Sequence, residues 1–501
     1  MNRWRWALPF LWAVLYWASF HPLNLGFLAW VSLVPLLVYA KVTSGKKSFF
    51  VAWLAGAVAF TACFFWVRFT VPAGPYGLGI YKGLYPALFV LIIRRVGPAW
   101  SPVVWTALEY VRGYLFGGLP WFLLGYTQHD AFTIVQIADL GGVWLVTALV
   151  AFVNGALVDG RKAVRWAAGA AVLASVAYGA IRLSTIETRE GLTVAVVQPN
   201  IPQDIKSDAW RDEGEAIRIY QKHVLLTLRA AEGKPDLIVW PEASIYRGIF
   251  WGVQEQTWLQ TRWWGRLVAP AAEVKTPMLM GALVSDVDAD REEYTNSALL
   301  VDPVARVAQR FDKAHLVPFA EYVPLGKTFP WIRTLLKKYS GLYIPDQRPG
   351  TGFPVWSLPG GRFGPQICFE AIFPEISREF ARNGAGFTVN ISNDGWFRDT
   401  AELDQMQVMA RFRAIENRIG FVRATNTGIS SVIDPLGREV ALLEVGGRRK
   451  EVEGVLGAKV RETGASSLFR LWGNWIAWLA VGAAAAEWAR RIFVDRKQGR
   501  P

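Results

Sequence analysis

A chain of 501 residues exceeds one ordinary domain, and a hydrophobic share of 52% with only 19% charged residues excludes a disordered or strongly solvated polypeptide. The net charge of +13 invites a nucleic-acid partner, but the positive excess lies in short segments flanking apolar stretches, which leaves that reading nothing to explain. Apolar residues concentrate before about residue 185 and again near the C-terminus, the pattern of a membrane protein with a large soluble insert.

In chain order, length and lack of charge predict eight spans: 4–20, 24–40, 48–70, 76–93, 98–116, 133–158, 163–182 and 468–488. About 20 apolar residues, rising ~1.5 Å each, cross a ~30 Å hydrocarbon core. A cleaved signal peptide fits the first stretch poorly, because no small-x-small site precedes Pro22. Loops on the N-terminal side carry Arg3, Arg5, Lys41, Lys46, Lys47, Arg94, Arg95, Arg161, Lys162 and Arg165, and the tail adds Arg490, Arg491, Arg496, Lys497 and Arg500. Segments 21–23, 71–75 and 117–132 hold no Lys or Arg. Positive charge is retained in the cytoplasm, so both termini are expected there, and seven crossings place the insert outside it. The expected division is a seven-span domain over 1–185, a catalytic domain over 192–463, an eighth span over 468–488 and a basic cytoplasmic tail over 489–501. Within the spans lie Lys82, Glu109 and Arg112. Glu109 and Arg112 are three apart and share a helix face, so they either neutralise each other or line a path for a polar headgroup.

From about residue 192 the pattern turns to short, nearly continuous apolar runs at 193–198, 236–240, 277–284, 364–368 and 386–392, which suit a sheet buried on both faces. Helical stretches are expected at 214–231, 375–383 and 402–417, and hairpins at 298–311 around Asp302-Pro303 and at 430–443 around Asp434-Pro435-Leu436-Gly437. The insert reads as a layered α/β domain.

The chain has two cysteines, and Cys63 falls inside the third predicted span, so Cys368 has no disulfide partner in reach. The four histidines, at 21, 129, 223 and 315, show no ligand spacing, and there is no glycine-rich phosphate loop; neither metal nor other cofactor is expected. Cys368 ends an apolar strand in Gly-Pro-Gln-Ile-Cys-Phe-Glu, where a sharp strand-to-helix turn would present a nucleophile beside backbone N–H groups. A buried structural cysteine is the plainer alternative. Glu242 follows another strand in Leu-Ile-Val-Trp-Pro-Glu and is placed to act as a general base, unless it is a simple loop carboxylate. Lys313, in a rigid proline-bracketed segment, is poorly placed for solubility and well placed to lower a thiol pKa and hold an oxyanion. Glu321, eight residues on, could orient it; a local salt bridge is the alternative.

Trp240-Pro-Glu242, then Lys313 in Lys-x-His-Leu-Val-Pro-Phe-x-Glu-Tyr-Val-Pro, then Cys368-Phe-Glu370 resemble the Glu-Lys-Cys set of the nitrilase superfamily. With Gln198-Pro-Asn-Ile-Pro-Gln203, Asn390-Ile-Ser-Asn-Asp-Gly-Trp-Phe397 and the flanking spans, the whole chain resembles the membrane-embedded branch of that superfamily, the apolipoprotein N-acyltransferases. The resemblance implies a nitrilase-like α-β-β-α sandwich inserted between spans seven and eight of a helical bundle, in a bacterial inner membrane with the catalytic domain periplasmic. It implies a phospholipid acyl donor, phosphatidylethanolamine foremost, a thioester on Cys368, and a diacylated apolipoprotein whose N-terminal α-amino group accepts the chain. Glu242 would be the base, Lys313 and backbone N–H groups near Phe369 the oxyanion donors, and Glu321 and Glu370 supporting groups. A monomer is expected. Two departures stand out: the family usually has Tyr where Phe369 stands, and often Lys-Trp where this chain reads Lys206-Ser207, with Trp210 nearby as a substitute.

Aromatic residues follow Glu242 at Tyr246, Phe250, Trp251, Trp258, Trp263 and Trp264, either as core or as a lipid-facing arm; 329–343, with Trp331, Leu335, Leu336 and Lys337-Lys338, is a second candidate arm. Trp210, Trp251 and Trp396 are the candidate substrate contacts. Two rivals remain: a membrane-anchored amidase or lipid hydrolase using water as acceptor, and a non-enzymatic lipid-binding protein on a dead fold.

Overall fold

The structure, a computed structural model, describes residues 3–254, 257–288, 291–326, 328–340 and 347–497. The chain forms two compact units, one of residues 1–186, 400–416 and 466–501, the other of 187–399 and 417–465.

The first unit is helical. Among the described residues, Gly74–Val96, Ala138–Val158 and Lys162–Thr185 are long and apolar enough to cross a membrane by length and composition, and Gly26–Val42 is a shorter apolar helix. Val14, Leu54, Val58 and Leu173 stand exposed on this unit, as apolar side chains facing lipid would. The three charges predicted within its spans, Lys82, Glu109 and Arg112, are buried. Glu109 pairs with Arg112 at 3.5 Å and accepts from Trp105 Nε1 (2.9 Å), Leu124 N (2.9 Å) and Thr147 Oγ1 (3.1 Å). Arg112 donates to the Phe122 carbonyl at 2.9 Å and Lys82 to that of Leu119 at 3.1 Å. Partnered in this way, the three groups offset the cost of burial with hydrogen bonds, and the packing favours neutralisation over a headgroup path.

The helix Ala401–Asn417 forms where expected, but residues 400–416 pack in the helical unit instead of the α/β one. Leu403, Met406, Met409 and Phe412 are buried, Phe412 meets Tyr126 edge to face at 5.0 Å, Gln405 accepts from Trp121 Nε1 at 2.7 Å, and Glu416 accepts from Val143 N at 2.9 Å. Its residues are buried all round, so periodicity could not reveal which neighbours it serves.

Among the described residues, the second unit holds two sheets. One has eight strands: Gly454–Glu462, Arg189–Gln198, Leu237–Val239, Met278–Asp288, Ile245–Gly252 and Thr257–Trp258 in spatial order, with Arg291–Val301 and Val307–Asp312 continuing from Met278–Asp288. The other runs Glu439–Leu442, Ser431–Ile433, Gly420–Thr425, Phe387–Ser392, Gly361–Ile367, Trp356–Leu358. The three central strands of the second sheet are parallel, and Phe387–Ser392 and Gly420–Thr425 are buried at every position; the first lies in a predicted run, whereas the second, interrupted by Arg423, was not among the predicted strands. Both predicted hairpins form, around 302–306 and 434–438. The strands Ile245–Gly252 and Gly454–Glu462 carried no alternation or apolar run strong enough to mark them, and their pairing is supplied by neighbours distant in sequence.

Trp263 and Trp264 are buried in the core of this unit, with Trp251 and Trp258 packed against it and Trp258 stacked on Trp264 at 5.1 Å. Core filling is therefore the reading the packing supports for these rings. The helix Pro330–Ser340 covers most of the second candidate arm, with Trp331 exposed; residues 341–343, and the side chains of Leu335, Leu336, Lys337 and Tyr246, lie outside the described residues. The same holds for the side chains of Arg496 and Lys497 and for Arg500 in the predicted basic tail.

Candidate active site

Three strand ends of the second unit converge. Cys368 directly follows the strand Gly361–Ile367, opens the 3-10 turn Cys368–Ile372 and holds φ at 49°, in the left-handed region that L-residues avoid. This strained turn lifts the side chain off the strand, and the Asn390 amide donates to the Cys368 carbonyl at 3.2 Å from the adjacent parallel strand. Burial and the Glu242 carboxylate push the Cys368 thiol well above its usual range, with Lys313 pulling the other way. The sequence had suggested a thiol with lowered pKa; the net direction is the opposite, because burial outweighs the nearby cation. The nucleophile thus rests as a neutral thiol and needs a base to take its proton.

Glu242, 6% exposed, lies three residues beyond the strand Leu237–Val239. Its Oε1 accepts from Asn296 Nδ2 at 2.7 Å and its Oε2 from Asn393 N at 2.8 Å. The turn after it is tight: Ala243 has φ 47°, and a Cβ on Gly281 would lie 2.5 Å from the Pro241 carbonyl oxygen, so glycine is required where the strand Met278–Asp288 passes beneath. Lys313, 1% exposed, follows Val307–Asp312; its Nζ lies 2.7 Å from Glu321 Oε1 and 3.5 Å from Glu242 Oε1. Burial would lower its pKa, but the Glu321 and Glu242 carboxylates more than offset that and hold it above the ordinary lysine value, so it remains cationic.

Glu321 is fixed through Oε2 by Val317 N at 2.8 Å. Glu370 ties the nucleophile's turn to the lysine's segment: its Oε1 accepts from Ala314 N (2.7 Å) and His315 N (3.2 Å), and its Oε2 from Ile367 N (2.7 Å). Burial pushes its carboxyl up to about 7, against the pull of those donors and of Lys313. Phe369 packs on Phe373 and His315, ring centroids 5.2 and 5.9 Å away, and brings no hydroxyl to the site.

Glu242, Lys313, Glu321, Cys368 and Glu370 are therefore brought together. Trp210 and Trp396 are half-exposed, and Trp251 pairs with Trp258 at 4.9 Å beside the core. Sequence reasoning missed Asn296, which sits mid-strand in Tyr-Thr-Asn-Ser with no local signal; it passed over Asn393, which lies within a quoted motif, and it named Lys206 only as part of a departure from the family pattern, without a role.

Lys206, on the short helix Gln203–Asp208, is 5% exposed and donates to the Glu242 carbonyl at 3.1 Å. Burial lowers its pKa to about 8. Below that pH both the folded and unfolded chain carry the proton and folding bears the whole cost, about 3 kcal/mol relative to an ordinary lysine; above about 10.4 neither carries it. Stability from this group therefore rises with pH between those values. Lys206→Met is expected to raise the melting temperature at pH 7, to lose most of that gain by pH 9.5, and to slow the chemistry at Glu242. Equal melting of the two proteins at both pH values would refute this account of the buried ammonium.

Residues 12–156 match the family described as the apolipoprotein N-acyltransferase N-terminal domain, and residues 193–460 match the carbon-nitrogen hydrolase family. The apolipoprotein N-acyltransferase of Geobacter metallireducens is 34% identical, the match covering 94% of this chain and 92% of that one. That of Vibrio cholerae is 29% identical over 94% of this chain and 95% of its own. Among solved structures, an amidase from Nesterenkonia sp. is similar at 17% identity and a TM-score of 0.37, covering 55% of this chain and 92% of that one. Matched nearly end to end by such relatives, and carrying a carbon-nitrogen hydrolase region over more than half its length, the chain belongs to the apolipoprotein N-acyltransferase family.

Proposed function

We propose that this enzyme moves an acyl chain from a phospholipid to the α-amino group of the N-terminal diacylglyceryl-cysteine of an apolipoprotein, through a thioester on Cys368. The observation that carries the residue roles is the buried set of Glu242, Lys313 and Glu321 around a thiol that needs deprotonation. In the first half-reaction Glu242 takes the thiol proton, sulfur attacks the ester carbonyl, and the developing oxyanion is met by the Lys313 ammonium and by N–H groups near Phe369. The C–O bond breaks, and the departing alkoxide of the lysophospholipid recovers the proton from Glu242. In the second, the incoming amine forms the C–N bond and its proton passes to Glu242; the C–S bond breaks, and Glu242 returns that proton to the departing sulfur to restore the thiol.

Both substrates are lipids, so the same proposal includes the membrane arrangement: eight spans, both termini cytoplasmic, and a catalytic domain over 192–463 inserted between spans seven and eight on the periplasmic side of a bacterial inner membrane. Apolar exposure on the helical unit and the asymmetry of Lys and Arg among the loops support it. Phosphatidylethanolamine is the proposed donor, the working unit is a monomer, and Trp210, Trp251 and Trp396 are the proposed lipid contacts, Trp210 and Trp396 being half-exposed.

Intact-mass analysis of the enzyme mixed with phosphatidylethanolamine is expected to show one acyl adduct mapping to Cys368, and adding a diacylated lipopeptide should discharge it into an amide-linked third chain. Release of free fatty acid alone would favour a hydrolase with water as acceptor, and absence of any adduct would end the proposal.

A further inference from the structure

Two carboxylate oxygens of the site, Glu242 Oε1 and Glu321 Oε1, are bridged twice. Lys313 Nζ spans them at 3.5 and 2.7 Å, and Asn296 Nδ2 spans the same two atoms at 2.7 and 3.4 Å. The result is a closed ring of two acceptors and two donors, one donor charged and one neutral. Asn296 also fixes the backbone of the charged donor, because its carbonyl accepts from Lys313 N at 2.8 Å. It lies in the strand Arg291–Val301, directly opposite Leu283 of Met278–Asp288, and is 4% exposed. The amide has one usable orientation. Turned over, its oxygen would face two carboxylate oxygens, whereas as placed its Oδ1 is buried with no hydrogen-bond partner among the described residues. An unsatisfied buried acceptor costs stability, so the arrangement is maintained against a penalty.

We infer that Asn296 is a positioning residue of this active site, the neutral half of a double bridge that keeps Glu242 and Glu321 apart and leaves Glu242 able to accept the Cys368 proton. With Lys313 as sole bridge, both carboxylates would close on the ammonium, and Glu242 would be drawn into a fixed ion pair. A neutral donor shares the load without changing the charge of the ring. The charged and titratable groups around it are Glu242, Glu321, Lys313, Lys206, Glu370, the Cys368 thiol, and Asp394, itself paired with Arg423 at 2.8 Å.

The inference rests on the proposed catalytic role of Glu242, and a lipid-free measurement separates the two. Asn296→Asp has the same shape and replaces the amide donor with a third carboxylate facing one lysine. Alkylation of Cys368 in the full-length enzyme by iodoacetamide, followed across pH by intact mass, is expected to shift upward by one pH unit or more, so that the rate near neutrality falls about tenfold. In Asn296→Ala, thioester formation from phosphatidylethanolamine is expected to fall at least tenfold in kcat with little change in KM. Each alkylation profile is normalised to its own maximum, so a partly folded variant still reports. A profile in Asn296→Asp that superimposes on the parent's would overturn the inference, as would an Asn296→Ala acylation rate within twofold. If the alkylation profile shifts while no variant or parent forms a thioester, the positioning role stands and the acyl-transfer reading falls.

Discussion

Cys368→Ala is expected to abolish the acyl adduct and to reduce transfer to a diacylated lipopeptide by about four orders of magnitude or more, with the fold retained. The reason for retention lies in the backbone. At φ 49° the cost is set by the presence of a Cβ, which alanine and cysteine share, so the strained turn is neither relieved nor worsened. Glu370 continues to tie 314–315 to Ile367, and Asn390 still donates to the residue 368 carbonyl. Only the sulfur is lost. Intact mass with phosphatidylethanolamine and a thermal melt, run on the same preparation, decide the matter. Residual transfer at more than about a hundredth of the parent rate would mean that another group carries the acyl chain.

Glu242→Gln carries the second large effect, a loss of about a hundred- to ten-thousandfold in thioester formation. Two causes act together. An amide cannot take the thiol proton, and the thiol cannot dispense with a base because burial holds it neutral. Both oxygens of Glu242 also receive N–H donors, Asn296 Nδ2 on one and Asn393 N on the other, so the NH2 of a glutamine meets a donor in either orientation. Glu242→Asp, which retains a carboxylate one methylene shorter, should recover part of the activity. Acylation in the glutamine variant within threefold of the parent would move the base elsewhere, with Glu321 and Glu370 the nearest candidates.

The parts of this architecture legible in the sequence are those whose physical cause is local. The strand Phe387–Ser392 is buried on both faces, so its run carries no charged residue, and Cys368 sits where that kind of run gives way to a turn. Glu242 and Lys313 could be singled out because proline and apolar neighbours made a charged residue conspicuous. Asn296 could not: a polar residue in a strand usually faces solvent, and its value comes from two carboxylates that arrive from 54 and 25 positions away. The role of Lys206 was hidden for a related reason, since the sequence marks it only beside Ser207, where the family often has Trp, and a lysine on a short helix reads as solvated until its contact with the Glu242 carbonyl is known. The aromatic residues after Glu242 offered core and lipid-facing arm equally, because a large ring suits both, and only packing against the core separated them.

The segment 400–416 leaves the α/β unit between two of its adjacent parallel strands, Phe387–Ser392 and Gly420–Thr425, and belongs to the helical unit before the chain returns. Excision of the soluble portion by cutting once at each end would carry that helix along with its buried Leu403, Met406, Met409 and Phe412 stripped of their neighbours. A secreted fragment of 187–465 is thus expected to aggregate, whereas one in which 400–416 is replaced by a polar loop has a route to solubility. Any campaign to crystallise or screen the catalytic half in isolation begins with that replacement.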